Sequence, residues 1–351
     1  MARIISTGTA LPPHKVPQSI ARDFARAHFG PHINDIDKYL PVYDHSGIDH
    51  RYFCMPPQWY LSPTGFAEKN RLYIEWATRL GHEAAERCLQ NAGVAPGEVD
   101  HIIFVSTTGM ATPSIDARLV NLLRLPADIR RTPIWGLGCV GGAAGLIAAH
   151  DYIKAYPEAK VLLVAVELCG LTFLFDDLSV SNLVATALFA DGAAAVLVAG
   201  DGDGLPKSGL ETIAGHSRTW PDSLDVMGWN FLENGLQVVF SKSIPAIVKR
   251  HARENITEFL ARHDLGLEAL EYYLIHPGGP RVIEAYQRAL ELPPDKTRLI
   301  EQVLRDHGNM SSVTVLFILD EFRRNGYDRG KLALLTALGP GFTSQSLLLR
   351  T

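Results

Sequence analysis

Apolar positions along this chain repeat with two periods. Short runs bounded by polar or glycine-rich segments have the length and β-branched content of strands: RIISTGTALP, HIIFVSTT, RRTPIW, KVLLVAVE and ALFADGAAAVLVAG, then GLETIAGHSR, YYLIHPGG, KLALLTALGPG and SQSLLLR. Between them, apolar residues at helical spacing predict helices from Glu75 to Ala92, from Cys139 for about five turns to Tyr156-Pro157, from Ser243 to Arg262, and onward from Asn309 with Val313, Phe317 and Ile318 in register. This alternation predicts an α/β architecture. The order of elements in the first half recurs in the second, which marks a duplication. Each half reads as a βαβαβ unit closed by a hairpin, residues 1–205 and 206–351, with the glycine-rich segment from Asp201 to Lys207 as the seam.

Composition narrows the class of protein without altering that architecture. The chain has 351 residues, 47% of them hydrophobic and 20% charged, with a formal net charge of −5, which describes a globular protein with a sizeable core. No lysine/arginine run supplies an electrostatic footprint for nucleic acid or an anionic membrane. The start, MARIISTGTALPP, is too short in its apolar part for a signal peptide, and no later stretch is long and apolar enough to span a bilayer, so a cytoplasmic location is expected. The cysteines Cys54, Cys88, Cys139 and Cys169 are too widely and irregularly spaced for a disulfide framework or a zinc knuckle.

Candidate chemistry concentrates at one edge of the duplicated sheet. In WGLGCVGGAAGLIAAH, Cys139 stands at a strand-to-helix turn, where the helix dipole and unpaired backbone N–H groups favour an anion; a lowered thiol pKa and a nucleophilic role follow. The plainer reading is a small buried hydrophobe. The internal alignment sets Asn309 opposite Cys139, each after a glycine, and places His276 at the end of YYLI, where a strand delivers a side chain into the crevice. Taken singly, His276 reads as a core histidine and Asn309 as a helix N-cap. At one edge they make a coherent Cys/His/Asn set. A papain-like protease has the same residue order, but GLGCVGG lacks the sequence context of those cysteines. An imidazolium beside the thiolate would stabilise it, and the imidazole and amide N–H groups would hold an enolate oxygen; no carboxylate is required near the thiol.

GCVGG around Cys139, ALFADGAAAVLV from Ala187, HPGGPRVIEAY from His276, GNMSSVTVLFILDE from Gly308 and GPGFT from Gly339 resemble the chalcone synthase-like type III polyketide synthases of the thiolase superfamily. The resemblance runs over nearly the whole chain, and YLPVYDHSGIDHRYFCMPPQWYL is more similar to bacterial members than to plant ones. It implies a thiolase fold of five αβαβα layers, a homodimer, acyl-CoA and malonyl-CoA as substrates, and no metal or organic cofactor. It also implies catalysis by Cys139, His276 and Asn309.

By the same resemblance Phe189 matches a gatekeeper phenylalanine, whereas the second gatekeeper position is Val238, which opens room for a bulky or long starter. Thr172, Ser311, Trp229 and Thr112 match pocket positions, Thr112 on a loop that reaches the partner's site. Gly279 and Gly341, in turns with Gly278 and Gly339, can bring backbone close to a substrate. Arg51 and Lys69 are candidates for CoA. The activity implied is iterative condensation of malonyl-CoA onto a medium- or long-chain acyl-CoA, giving an alkylpyrone or alkylresorcinol. The alternatives are a ketoacyl synthase III-like single condensation on acyl carrier protein, a cysteine hydrolase, and a non-catalytic partner of the same fold.

Overall fold

A computed structural model describes residues 1–202 and 209–351, so most of the expected seam, and the boundary after residue 205, lie outside the described residues. The strands are β1 (Ala2–Ala10), β2 (His14–Pro17), β3 (His50–Phe53), β4 (His101–Val105), β5 (Arg130–Ile134), β6 (Lys160–Leu168), β7 (Asp191–Gly200), β8 (Leu210–Thr219), β9 (Met227–Leu232), β10 (Gly235–Phe240), β11 (Leu270–Ile275), β12 (Leu332–Gly339) and β13 (Thr343–Arg350). The helices are α1 (Gln18–Phe29), α2 (Pro41–Asp44), α3 (Phe66–Ala92), α4 (Ile115–Leu123), α5 (Gly141–Ala155), α6 (Val180–Leu188), α7 (Ile244–Ala261), α8 (Pro280–Leu290), α9 (Arg298–His307) and α10 (Thr314–Asn325).

Sheet order exposes the duplication. One nine-stranded sheet runs β11-β12-β13-β8-β1-β7-β6-β4-β5. Reading outward from its centre, β1-β7-β6-β4 and β8-β13-β12-β11 repeat the same pairings, antiparallel, antiparallel, then parallel. The halves join where β1 pairs β8 through Ala2 to Ile4. The first half carries one strand more, β5, parallel to β4 at the edge, so the two βαβαβ readings are unequal in length. Alternate residues of β6 serve two cores: Val161, Leu163 and Ala165 face one, Leu162, Val164 and Val166 the other. Helix α3 covers the second of these faces, and α5 and α10 pack together between the two halves, touching strands of both. With α7 and α8 over the second half, the layers are αβαβα.

Several boundaries differ from the sequence reading. Helix α3 starts at Phe66 rather than near Glu75, and Ala187 and Leu188 end α6 rather than begin a strand. The elements without a counterpart in the other half include β2, β3, α1 and α2 before α3, β5 before α5, α6 before β7, and the β9–β10 hairpin before α7. Among the described residues no helix is long and apolar enough to cross a membrane, and no cluster of His, Cys, Asp and Glu has the makings of a metal site.

Candidate active site

Gly138–Val140 forms one 3-10 turn that runs straight into α5. Gly138 adopts φ +51°, and a Cβ there would stand 2.6 Å from the Pro340 ring, so this position requires glycine twice over. The small-residue run of α5 has its own reason: a Cβ on Gly145 would meet Leu163 of β6 at 2.5 Å, so the helix lies close on the sheet. Cys139 is 8% exposed and its sulfur lies beside the Ser311 hydroxyl. The expected fall in its pKa does not occur. Burial pushes the thiol up to about 12, with Ser311 pulling down and the Glu167 carboxyl pushing up. The sulfur belongs to a desolvated turn ahead of α5, and desolvation outweighs the helix dipole.

His276 follows β11 directly and its N–H donates to the Thr336 carbonyl of β12 (2.8 Å). It is 4% exposed, neither ring nitrogen has a partner, and burial lowers its pKa to about 3. The imidazole is therefore neutral, not the imidazolium expected. Asn309 is no helix N-cap either, since α10 begins only at Thr314. Its amide Nδ2 donates to the Gly278 carbonyl (3.0 Å) and its Oδ1 accepts from the Ser311 N–H (2.9 Å). Its backbone bridges to Phe189: the Asn309 N–H donates to the Leu188 carbonyl and the Ala190 N–H donates to the Asn309 carbonyl, both at 2.9 Å. Asn309 thus ties the loop after His276 to Ser311, which in turn touches the Cys139 sulfur, and one amide N–H is left over for a ligand.

A fourth group stands here that the sequence reading had not placed. Glu167, on β6, is fully buried and accepts from the Thr107 N–H (3.0 Å), Thr108 Oγ1 (2.9 Å) and Ser312 Oγ (2.7 Å). Burial pushes its carboxyl up to about 7, with those hydrogen bonds pulling down. The reading that needed no carboxylate near the thiol therefore meets one. Its signal was a single acid in an otherwise apolar strand, VLLVAVEL.

Phe189, Thr172, Trp229 and Val238 line one apolar cavity, together with Ile20, Phe24 and Phe53. It encloses about 790 Å³ not filled by atoms, part of it open solvent at the mouth. Most of its wall comes from α1, β3, α6 and the β9–β10 hairpin, elements outside the duplicated pattern, and the turn after β6 completes it with Thr172. Cys139, His276 and Asn309 do not line it, nor do Ser311, Gly279 and Gly341. Gly341 takes φ +68° and Gly279 is extended. Thr112 is exposed on the loop before α4, away from its own chain's cavity.

The two candidates for CoA are both buried, and Arg51 is among the residues lining this cavity. Arg51 is 1% exposed, its Nε donating to Gln18 Oε1 (3.1 Å) and its Nη1 to the Phe189 carbonyl (2.7 Å). Lys69 is also buried, donates to the Phe173 carbonyl (2.6 Å), and has its pKa lowered to about 8 by burial. Both are internal braces, not a surface for phosphates.

Residues 1–202 match the N-terminal domain of chalcone and stilbene synthases, and residues 213–351 match their C-terminal domain. The chain belongs to the chalcone and stilbene synthase family of type III polyketide synthases. A Bacillus subtilis protein carrying the provisional name chalcone synthase is 41% identical over 99% of this chain and 98% of its own. The 1,3,6,8-tetrahydroxynaphthalene synthase of Streptomyces peucetius is 36% identical over 99% of this chain and 92% of its own. The solved 1,3,6,8-tetrahydroxynaphthalene synthase of Streptomyces coelicolor, a bacterial type III polyketide synthase, superposes with a TM-score of 0.94 at 29% identity, covering 99% of each chain.

Proposed function

We propose that this type III polyketide synthase condenses malonyl-CoA iteratively onto a medium- or long-chain acyl-CoA, with Cys139 as acyl carrier and His276 and Asn309 as the enolate site. The sulfur attacks the acyl-CoA carbonyl while its proton passes to the neutral imidazole, and the bond to CoA breaks, CoA leaving as the thiol. The malonyl C–C bond to carboxylate then breaks and releases CO₂. The electron pair left behind forms an enolate, whose oxygen accepts from the free Asn309 N–H and from His276. The enolate carbon attacks the Cys139 thioester, forming the C–C bond and freeing the sulfur for another cycle. No step needs a metal or organic cofactor, and a cytoplasmic supply of both CoA thioesters suits it.

The observation that carries the starter assignment is the apolar cavity, with valine at position 238 in its wall. An alkyl chain is what such a wall binds best, and the product would be an alkylpyrone or alkylresorcinol. Dimerisation is part of the proposal: β5 is a largely exposed sheet edge, Trp135 just after it is 45% exposed, and Thr112 is exposed on the loop before α4 in the same half.

The test is mass spectrometry of products from malonyl-CoA with acyl-CoAs from acetyl to palmitoyl, for wild type and Val238→Phe. Each methylene buried contributes about 0.8 kcal/mol, so about four carbons of added wall contact favour the longer chain by up to about a hundredfold, less the cost of ordering it. Wild type is expected to prefer long starters and Val238→Phe to reverse the order. Equal use of malonyl-CoA alone, with an alkyl-free product such as the naphthalene named for the Streptomyces relatives, would sink the starter assignment. Activity only with malonyl-acyl carrier protein would favour the ketoacyl synthase III-like reading.

A further inference from the structure

A second, smaller space adjoins the apolar cavity at Thr172, which lines both. It has about 240 Å³ not filled by atoms, part of it open solvent, and Lys69, Asn70, Thr108 and Leu236 stand in its wall. It adjoins the thiol-bearing turn as well. Thr107 Oγ1 accepts from the Gly138 N–H (3.0 Å), and the next residue, Thr108, lines the space.

Most of the polar lining is spent within the chain. Thr172 Oγ1 donates to the Cys169 carbonyl (2.8 Å) and Thr108 Oγ1 to Glu167 (2.9 Å). Asn70 Nδ2 donates to the Met110 carbonyl (2.9 Å) and its Oδ1 accepts from the Met110 N–H (2.8 Å). Lys69 is different. It is 6% exposed, and of its three N–H donors one goes to the Phe173 carbonyl (2.6 Å). No carboxylate stands within ion-pair distance of it among the described residues; Asp176 acts on it only from further off, and burial lowers its pKa to about 8. A buried ammonium with two donors over and no anion beside it costs free energy that a ligand oxygen would recover.

We propose that Lys69 binds the β-dicarbonyl segment that iterative malonyl condensation builds, its two free N–H donors taking one oxygen of that segment in its enolate form. The inference rests on the reading of the chain as an iterative condensing enzyme with an alkyl-binding cavity. Each condensation leaves a ketone two carbons from the thioester, and the CH₂ between two carbonyls is acidic enough to ionise, its proton passing to solvent. An ammonium beside the oxygen favours the ionised form. The two spaces then suit the two parts of an alkyl polyketide: the alkyl part has the apolar cavity and the oxygen-bearing part the smaller space, with Thr172 between them. Lys69 acts on ring closure, which uses the enolate, rather than on loading at Cys139.

The test uses two probes with one tail, tetradecane-2,4-dione and tetradecan-2-one, titrated into the full chain. Calorimetry gives their affinities, and the ultraviolet band of the enolate gives the ionisation of the bound dione. Wild type is expected to hold the dione ionised at a pH where the free compound in buffer is not. Lys69→Met, which keeps length without charge, is expected to bind the dione about ten- to hundredfold more weakly, the worth of hydrogen bonds to a charged group, and to bind the monoketone as wild type does. Equal weakening of both probes in Lys69→Met would make Lys69 only a brace of the Phe173 turn and overturns the proposal, as does equal dione binding by both proteins. Where Lys69→Met does not fold, wild type decides alone: a bound dione that ionises no more readily than in buffer overturns the proposal. Binding of both probes with no preference for the dione leaves the alkyl cavity standing and overturns the role of Lys69, whereas binding of neither removes both.

Discussion

At Cys139 two opposing effects act on one sulfur. The helix that follows draws negative charge toward its N-terminus, but the side chain is buried beside a carboxyl, and burial wins, pushing the thiol up to about 12. His276, lowered to about 3 by the same desolvation, is a neutral imidazole. Thiol and imidazole therefore rest uncharged, and in the proposed mechanism the proton moves only when a thioester is attacked. The expected consequence is a Cys139 alkylation rate that climbs about tenfold per pH unit from neutrality to about pH 11, because only the thiolate reacts. Peptide mapping of labelled protein across that range reads it. A rate that is flat from about pH 6 upward would mean that a thiolate–imidazolium pair exists before substrate arrives. The placement of Cys139, His276 and Asn309 at turns or at a strand's end was legible in the sequence, because each follows a chain-punctuating turn or the end of an apolar run. Their charge states were not, because protonation depends on how completely neighbours from other elements exclude water.

Among the elements, β6 shows how a strand can carry both core and chemistry. All nine of its residues are buried, and eight are lysine or apolar side chains that fit a covered sheet, while Glu167 is sustained there by hydrogen bonds from Thr107, Thr108 and Ser312. Its carboxyl is raised to about 7 from an ordinary 4.5, so the folded protein holds its proton where the unfolded chain has released it. Its contribution to stability is then full below about pH 4.5 and is lost as pH rises through about 7. Glu167→Gln cannot titrate, so wild type should lose up to about 3 kcal/mol relative to the variant between about pH 4.5 and 8. Urea unfolding of both proteins at several pH values measures that difference. A difference that does not change with pH would show that Glu167 ionises in the folded protein as it does in the unfolded chain. Element order was readable from periodicity, whereas the starts of α5 and α10 were displaced, because a 3-10 turn precedes each helix and its residues carry the same apolar spacing.

For the whole molecule, duplication explains the sheet and insertion explains the cavity. The repeated strand order came through in the sequence because most of the repeated strands are apolar runs; the unequal lengths of the halves came only from seeing β5 unpaired on its outer side. That edge also bears on assembly. Pro133 lies within β5 and leaves the edge one N–H short, so a partner there would rest on side chains as well as on a backbone ladder. Trp135 offers the largest of them, half exposed, with its indole N–H spent on the Gly109 carbonyl (3.0 Å) within its own chain. In a two-fold dimer the same patch meets itself, so one substitution acts twice. Trp135→Asp would bury a charge in each copy at about 2 kcal/mol or more apiece, weakening association on the order of a thousandfold. Sedimentation velocity should give a wild-type mass twice the 38.5 kDa of one chain and a variant shifted toward that single mass. Polyketide formation should fall with dissociation if Thr112 completes a partner's site, since it is exposed and does not line its own cavity. A wild type that sediments at the single-chain mass, or a Trp135→Asp variant that remains dimeric, would place the interface elsewhere.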